Sequence, residues 1–158
     1  MAICFALHFV EAQIHSIAPF KSIGDYKGQY VVLLFIPDLK KACVHDLITY
    51  SAAADDFNSI GAQVLIISSD GAATEEDIKV PIIGNSNVAK EYGMEGASGI
   101  FIVDQEHRIR SAQISNCDAK KSAHDTFRHI MALKFSDKNK VTIPSNWTTV
   151  EDITISKN

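Results

Sequence analysis

The sequence predicts an α/β fold in which helices pack on both faces of a central mixed β-sheet. Three observations lead to this prediction: short apolar, β-branched runs typical of buried strands, segments between them with apolar residues at helical spacing, and a later pair of strand-like runs joined by a few polar residues. The chain has 158 residues, of which 46% are hydrophobic and 22% charged. This size and composition are typical of one folded domain with a sizeable core.

A strand–helix–strand unit is predicted in the first half of the chain. Residues 30–36 form an apolar run that is too short for a buried helix and ends at a proline, which indicates a strand buried on both faces. From Leu47 to Phe57 apolar residues recur at helical spacing, and Gly61 is suited to end a helix. Residues 63–67 form the next buried strand. Two strands connected in this way are expected to lie parallel, with a right-handed crossover.

Shorter elements are predicted in the second half. A helix is expected over residues 87–92, ended by Gly93. Residues 99–103 and 108–114 flank the polar residues 104–107, a pattern that predicts a β-hairpin.

The C-terminal part is predicted to contain one more helix, followed by a polar segment. The apolar residues from Ala123 to Leu133 fall on one helical face, whereas the chain after residue 135 is polar with scattered apolar residues. We therefore divide the chain into a domain of residues 1–135 and a C-terminal arm of residues 136–158.

Charge and hydropathy argue against two classes of partner. The net charge of -4 provides no basic surface for the phosphates of nucleic acid. Residues 1–10 are apolar, but they lack a basic flank, contain His8, and are far shorter than the ~20 residues that span a bilayer. We expect them to form a first strand, and we expect neither nucleic acid nor a membrane as a partner.

The three cysteines indicate a reducing environment. Cys4, Cys43 and Cys117 are too few and too scattered for a disulfide-stabilised fold, and an odd number leaves one thiol without an internal partner. We therefore expect a cytoplasmic protein.

Cys43 is the candidate reactive residue. It lies between the central strand and the following helix, where free N–H groups and the helix dipole favour a thiolate, and Lys40 and Lys41 add positive charge. The alternative is that Cys43 is a small buried apolar residue, since free cysteine is among the most buried residue types. No second ligand pair completes a zinc site with Cys43 and His45, and no glycine-rich phosphate loop is present, so we expect no metal and no cofactor.

Short sequence blocks spread along most of the chain form a recognisable series. They are DYKGQYVVL at residues 25–33, together with residues 18–21, 80–83, 91–93, 99–104, 122–137 and 144–147. In this order and approximate spacing they resemble the typical two-cysteine peroxiredoxins of the alkyl hydroperoxide reductase and thiol-specific antioxidant family.

This resemblance implies a fold, a reaction and an assembly. The fold is thioredoxin-like, and Cys43 corresponds to the thiolate that attacks hydrogen peroxide or small hydroperoxides. The strand at residues 108–114 resembles the one through which family members form homodimers.

Several active-site positions depart from the family pattern. Lys40 stands where the family has a threonine, and Ser98 replaces an arginine that holds the thiolate and stabilises charge on the breaking O–O bond. Loss of one such fixed donor typically lowers a rate by about 10²- to 10³-fold. Lys121 occupies a second arginine position of the family and is the candidate for a substitute charge, while Asp46 replaces a glutamate.

The recycling half of the reaction is altered as well. Ile143 occupies the position of the resolving cysteine, which excludes the usual disulfide between subunits and implies an external thiol reductant. Cys117 is either an alternative resolving residue or an incidental free thiol. The segment at residues 69–79 is shorter than the family's ring-building region, so we expect a dimer and no decamer.

Two functions follow from these features. The first is a weak one-cysteine peroxidase, which the retained Cys43 and Lys121 favour. The second is a catalytically impaired homologue that acts as a binding or regulatory module, which Lys40 and Ser98 favour.

Overall fold

The computed structural model of the protein describes residues 25–39, 44–68, 78–84, 86–115 and 122–147. The chain divides into two compact units, residues 1–120 and residues 121–158. In the first unit lies a β-sheet with its helices, and in the second lies a long helix with the chain that follows it. The strand expected over residues 1–10, and residues 69–77 of the shortened segment, lie outside the described residues.

Among the described residues of the first unit, five strands form one mixed sheet. In chain order they are β1 (Tyr30–Phe35), β2 (Ala62–Ser68), β3 (Ile82–Gly84), β4 (Ser98–Val103) and β5 (Ile109–Ser115). They lie in the order β3-β2-β1-β4-β5, with β1 to β3 parallel to one another. The antiparallel neighbours are β4 beside β1 and β5 beside β4. The predicted parallel pair and the predicted hairpin are both confirmed.

The helix expected between the first two strands is in fact two helices. α1 (Val44–Ala52) and α2 (Ala54–Ser59) meet at Ala53, whose φ of -84° and ψ of 0° lie outside the helical range. The expectation of one continuous helix was therefore wrong. Gly61 does reverse the chain after α2, with a φ of 68° in the left-handed region that favours glycine.

One face of the sheet packs against α3 (Ser86–Glu91), the short helix predicted after β3. Alternate residues of β1, including Phe35, join a buried cluster with Val88 of this helix and with Tyr92 just after it. The rings of Phe35, Tyr92 and Phe101 contact one another, with centroid distances of 5.3, 5.4 and 5.0 Å. Tilted and edge-on pairs of this kind stabilise a core beyond the area that they bury.

The opposite face of the sheet is covered as well. Val32 and Leu34 of β1 point away from the first cluster, yet both are buried. α2 packs against β2 and buries Phe57, whose ring stacks on that of Tyr50 in α1 at 6.1 Å. Because Phe57 lies outside the first cluster, we assign α1 and α2 to this second face. The predicted arrangement of helices on both faces is confirmed.

Asp104 organises the turn between β4 and β5. Its carboxylate is buried, and Oδ1 accepts hydrogen bonds from the backbone N–H groups of Glu106 and Arg108, both at 2.9 Å. Oδ2 lies 3.4 Å from Nε of Arg108 and 3.3 Å from Nη1 of Arg110. A buried charge is tolerated when it is paired and hydrogen-bonded in this way, so the turn is fixed by electrostatics.

His107 is the strained residue of this turn. Its φ of 61° lies in the left-handed region, and its side-chain Nε2 is buried with no hydrogen-bond partner among the described residues. The neighbouring Gln105 donates from its side-chain amide to the carbonyl of Gly28 at 3.0 Å. The turn is therefore tied to the segment that precedes β1.

In the second unit, α4 (Ala123–Asn139) confirms the predicted C-terminal helix. Ser122 caps it by accepting a hydrogen bond from the N–H of Asp125 at 3.1 Å. The helix continues beyond residue 135, so the first residues of the expected arm are helical. Within the described ranges, no helix is both long enough and apolar enough to cross a bilayer.

Residues 140–147, which we call the C-terminal strap, are fastened to α4. Nη1 of Arg128 donates to the carbonyl of Ser145 at 3.3 Å and to that of Trp147 at 2.8 Å. Trp147 is buried, with its ring 5.8 Å from that of Phe135. One guanidinium thus holds two carbonyls of the strap while the indole fills the space beside the helix.

Replacing His107 by glycine is expected to stabilise the first unit. A side chain in the left-handed region strains the backbone, so His107→Gly should raise the free energy of unfolding by about 0.5–1 kcal/mol, measured by urea denaturation. His107→Ala is the matched control, because it removes the imidazole but keeps the strain. Equal gains from both variants would instead assign the effect to the unpartnered imidazole nitrogen.

Loss of the Arg128 guanidinium is expected to release the strap. Hydrogen bonds to a charged donor contribute about 1.5–3 kcal/mol, so Arg128→Ala should expose Trp147, the chain's single tryptophan. The measurement is a red shift of its fluorescence together with stronger quenching by acrylamide. Lys138→Ala, at an exposed position of the same helix, is the control. An unchanged spectrum in Arg128→Ala would contradict the role given to the guanidinium.

Candidate active site

The candidate site lies where the chain leaves the central strand. The N–H of Ile36 donates to the carbonyl of Ile67 at 2.9 Å, which extends the pairing of β1 with β2 by one residue. Pro37 then ends the strand, because it has no N–H to donate. Leu39 is buried, and α1 begins at Val44, directly after Cys43 in the sequence.

One of the four predicted site residues lies within the described part of the chain. Asp46 is in the first turn of α1 and is half-buried. Cys43, Lys40 and Lys121 lie outside the described residues, so their roles stay predictions.

Ser98 can be placed by strand register. β1 and β4 are antiparallel, with Phe35 opposite Gly99, so Ser98 lies beside the point at which the chain leaves β1. It is the first residue of β4, it is half-buried, and it faces Ser115 of β5. A hydroxyl therefore lies beside the end of β1, at the position where the family pattern described above has an arginine.

The arginines of this chain lie at other positions. Arg108 and Arg110 contact Asp104, at the opposite end of the sheet from Ser98. Arg128 binds carbonyl groups within its own unit. Within the first unit, the described residues therefore place no guanidinium near the end of β1.

Gly99, which follows Ser98, is closely packed by its neighbours. A Cβ atom at Gly99 would lie 2.5 Å from Cε of Met94 and 2.6 Å from the carbonyl oxygen of Gln113, so no other residue fits without a shift of the backbone. This close approach packs the loop after α3 tightly against the start of β4.

A cavity of about 160 Å³ opens at the carboxyl ends of β1 and β2. Its lining residues come from those two strand ends, from α3, and from the loop between α3 and β4: Phe35, Ile36, Pro37, Ile67, Ala89, Met94, Glu95, Gly96 and Ala97. This cavity could not be predicted from the sequence, because its walls come from segments that lie far apart in the chain and carry no distinctive motif.

A larger cavity, of about 460 Å³, belongs to the second unit alone. It lies between α4 and the strap, and its wall includes Ile143. That position holds no thiol, so the residues of this cavity offer no cysteine for thiol chemistry.

The chain is similar in sequence to known proteins. The model of the AhpC/TSA family matches residues 12–112. "Peroxiredoxin TSA1" of Saccharomyces cerevisiae is 32% identical over 149 residues, covering 80% of this chain and 76% of the relative. "Peroxiredoxin prdx-2" of Caenorhabditis elegans is 29% identical over 153 residues, covering 83% and 76%. These matches confirm the resemblance found in the sequence blocks.

Solved structures share the fold. The reduced 2-Cys peroxiredoxin of Plasmodium vivax superposes with a TM-score of 0.75 at 19% identity, covering 86% of this chain and 89% of that one. A yeast mitochondrial 1-Cys peroxiredoxin gives a TM-score of 0.72 at 20% identity, covering 85% and 82%. The predicted thioredoxin-like fold is thereby confirmed.

Proposed function

We propose, because this chain belongs to the AhpC/TSA family, that it is a peroxiredoxin-like thiol peroxidase whose single working cysteine is Cys43. The observation that carries the proposal is the start of α1 at Val44, the residue that follows Cys43 in the sequence. Free N–H groups and the helix dipole favour a thiolate at such a position. The cysteine usage of the chain supports a cytoplasmic location.

The proposed first step is nucleophilic attack on a peroxide. The Cys43 thiolate attacks the terminal oxygen of a hydroperoxide, an S–O bond forms, and the O–O bond breaks. The sulfur becomes a sulfenic acid, and the departing alkoxide or hydroxide takes a proton to give an alcohol or water. Lys40 and Lys121 are the proposed sources of positive charge for the thiolate and the leaving oxygen, and Asp46 is proposed to orient the first turn of α1.

An external thiol is proposed to complete the cycle. One thiol attacks the sulfenic acid and releases water, which leaves a mixed disulfide with Cys43. A second thiol attacks that disulfide, so the reductant leaves as its own disulfide and the Cys43 thiolate is restored. Ile143 supplies no sulfur for an internal route. The reaction is expected to be slow, because Ser98 offers a neutral hydroxyl where a guanidinium would hold the developing charge.

We also propose a homodimer joined through β5. Within the described residues β5 pairs only with β4, which leaves its outer edge open to another strand. Ala112 and Ile114 pack towards the core cluster, whereas the intervening Gln113 points to the other face. Isologous pairing of two such edges would extend the sheet across a two-fold axis.

The peroxidase proposal is tested by stopped-flow measurement of thiol oxidation. In a protein with Cys4 and Cys117 replaced by serine, hydrogen peroxide is expected to oxidise Cys43 with 1:1 stoichiometry. Ser98→Arg in that background should raise the rate constant about tenfold or more, because it adds a charged donor beside the end of β1.

Ser59→Arg is the matched control for this experiment. It adds the same charge at an exposed position near the amino end of β2, so the rate should stay at its starting value. No oxidation of Cys43, with or without Ser98→Arg, would contradict the peroxidase and favour a binding or regulatory module.

The dimer is tested by light scattering under reducing conditions. The expected mass is about twice the 17.3 kDa of one chain. Gln113→Lys should weaken the dimer, because each subunit would then carry a lysine near the proposed two-fold axis and the two positive charges would repel each other. A monomer or a decamer at micromolar concentration would each refute the assembly.

A further inference from the structure

The cavity of about 460 Å³ in the second unit, which we call the strap cavity, has an apolar part and a positively charged part. Its apolar wall comes from α4 and from the strap: Ala132, Leu133, Val141, Ile143 and Pro144. Small-molecule sites typically have volumes of about 300–1,000 Å³ and are mostly apolar with a few polar groups. The helical wall from Arg128 to Ser136 rises about 12 Å, which gives room for a chain of several methylene groups.

Arg128 lines this cavity and uses only part of its guanidinium to hold the strap. Nη1 donates to the carbonyls of Ser145 and Trp147, which engages both of its N–H groups. A guanidinium has five N–H groups in all. Within the described part of the chain, the other three, on Nε and Nη2, have no hydrogen-bond partner. The edge that carries Nε and Nη2 is therefore able to bind a carboxylate through two parallel hydrogen bonds.

The charges around the strap cavity favour an anion. Arg128 and His129 are at its wall, and none of the described residues that line it is acidic. The acidic residues of α4, Asp125 and Asp137, are not part of the wall. A phosphate dianion would lose more hydration than a carboxylate on entering a cavity with so much apolar surface. A single carboxylate attached to a hydrocarbon chain fits both parts of the cavity.

We propose that the strap cavity binds a small amphipathic monocarboxylate. Its carboxylate pairs with the Nε and Nη2 edge of Arg128, and its hydrocarbon chain packs between Leu133 and Ile143. The two contacts of Nη1 with the strap are kept, because the ligand uses the other donors. The inference does not rest on the proposed peroxidase function, since no cysteine lines the cavity.

Octanoate is the probe, titrated into the reduced full-length protein and followed by two-dimensional NMR. The Nε–H signal of Arg128 and the methyl signals of Leu133 and Ile143 are expected to shift and to saturate. Octanamide, which keeps the chain but lacks the charge, should bind about tenfold more weakly, because hydrogen bonds between charged groups are the stronger ones. Hexanoate should also bind about tenfold more weakly, because it buries fewer methylene groups. Absence of saturable shifts, or equal affinities for octanoate and octanamide, would overturn the proposal.

Ser145→Glu tests the role of Arg128 without removing the guanidinium. Ser145 is exposed, lines the cavity, and contacts Arg128 through its carbonyl. The new carboxylate should compete for the guanidinium and weaken octanoate binding about tenfold or more. Ser145→Gln is the matched control, because it has the same size without the charge, and should keep the wild-type affinity. Unchanged tryptophan fluorescence in both variants checks that the strap stays in place. Equal affinities in the two variants would overturn the assignment to Arg128.

The chain's own carboxylates provide the last comparison. Glu151 and Asp152 follow the strap in the sequence and offer the same chemical group. The proposal expects octanoate to bind the wild-type protein and the double variant Glu151→Gln, Asp152→Asn with the same affinity. Binding that appears only in the double variant would identify these side chains as the occupants and would overturn the assignment to a free ligand.

Discussion

The burial of β1 between two strands and two helical layers is the constraint on which the rest of the first unit depends. Every residue of this strand is buried, and its backbone pairs with β2 on one side and β4 on the other. Such a strand has no polar side and no free edge, so a change of register would misplace apolar residues on both faces at once. Cys43 follows the end of this strand in the sequence. Ser98 lies beside that end in the register of β4, and the cavity of about 160 Å³, an apolar pocket, opens there.

Much of this architecture could be predicted because it rests on local patterns. The apolar run of β1, the polar loop of the hairpin, and the glycine after α2 each have a direct physical signature. The break at Ala53 had no such signature, since the alanines around it favour helix. The pocket beside Pro37 could not be predicted from the sequence either, because its volume depends on how segments far apart in the chain pack together.

The candidate site combines a retained scaffold with altered chemistry. Gly99 is enforced by close contact with Met94 and with the backbone of Gln113, and Ser98 precedes it as the half-buried first residue of β4. Sequence blocks identified both positions, but only the register of β4 with β1 shows that Ser98 lies beside the end of β1.

The two ends of the sheet contain different kinds of interaction. At one end, the Asp104 cluster and the contact of Gln105 with Gly28 hold the hairpin and the start of β1 in place. At the other end lie Ser98 and the apolar pocket, which contribute little to those interactions. Because Phe35, Ile67 and Met94 belong both to the pocket and to the core cluster, a substitution there changes the packing of the sheet together with the shape of the pocket. A substitution at Ser98, by contrast, lies at the end of β4 away from the hairpin turn and leaves the contacts of that turn in place.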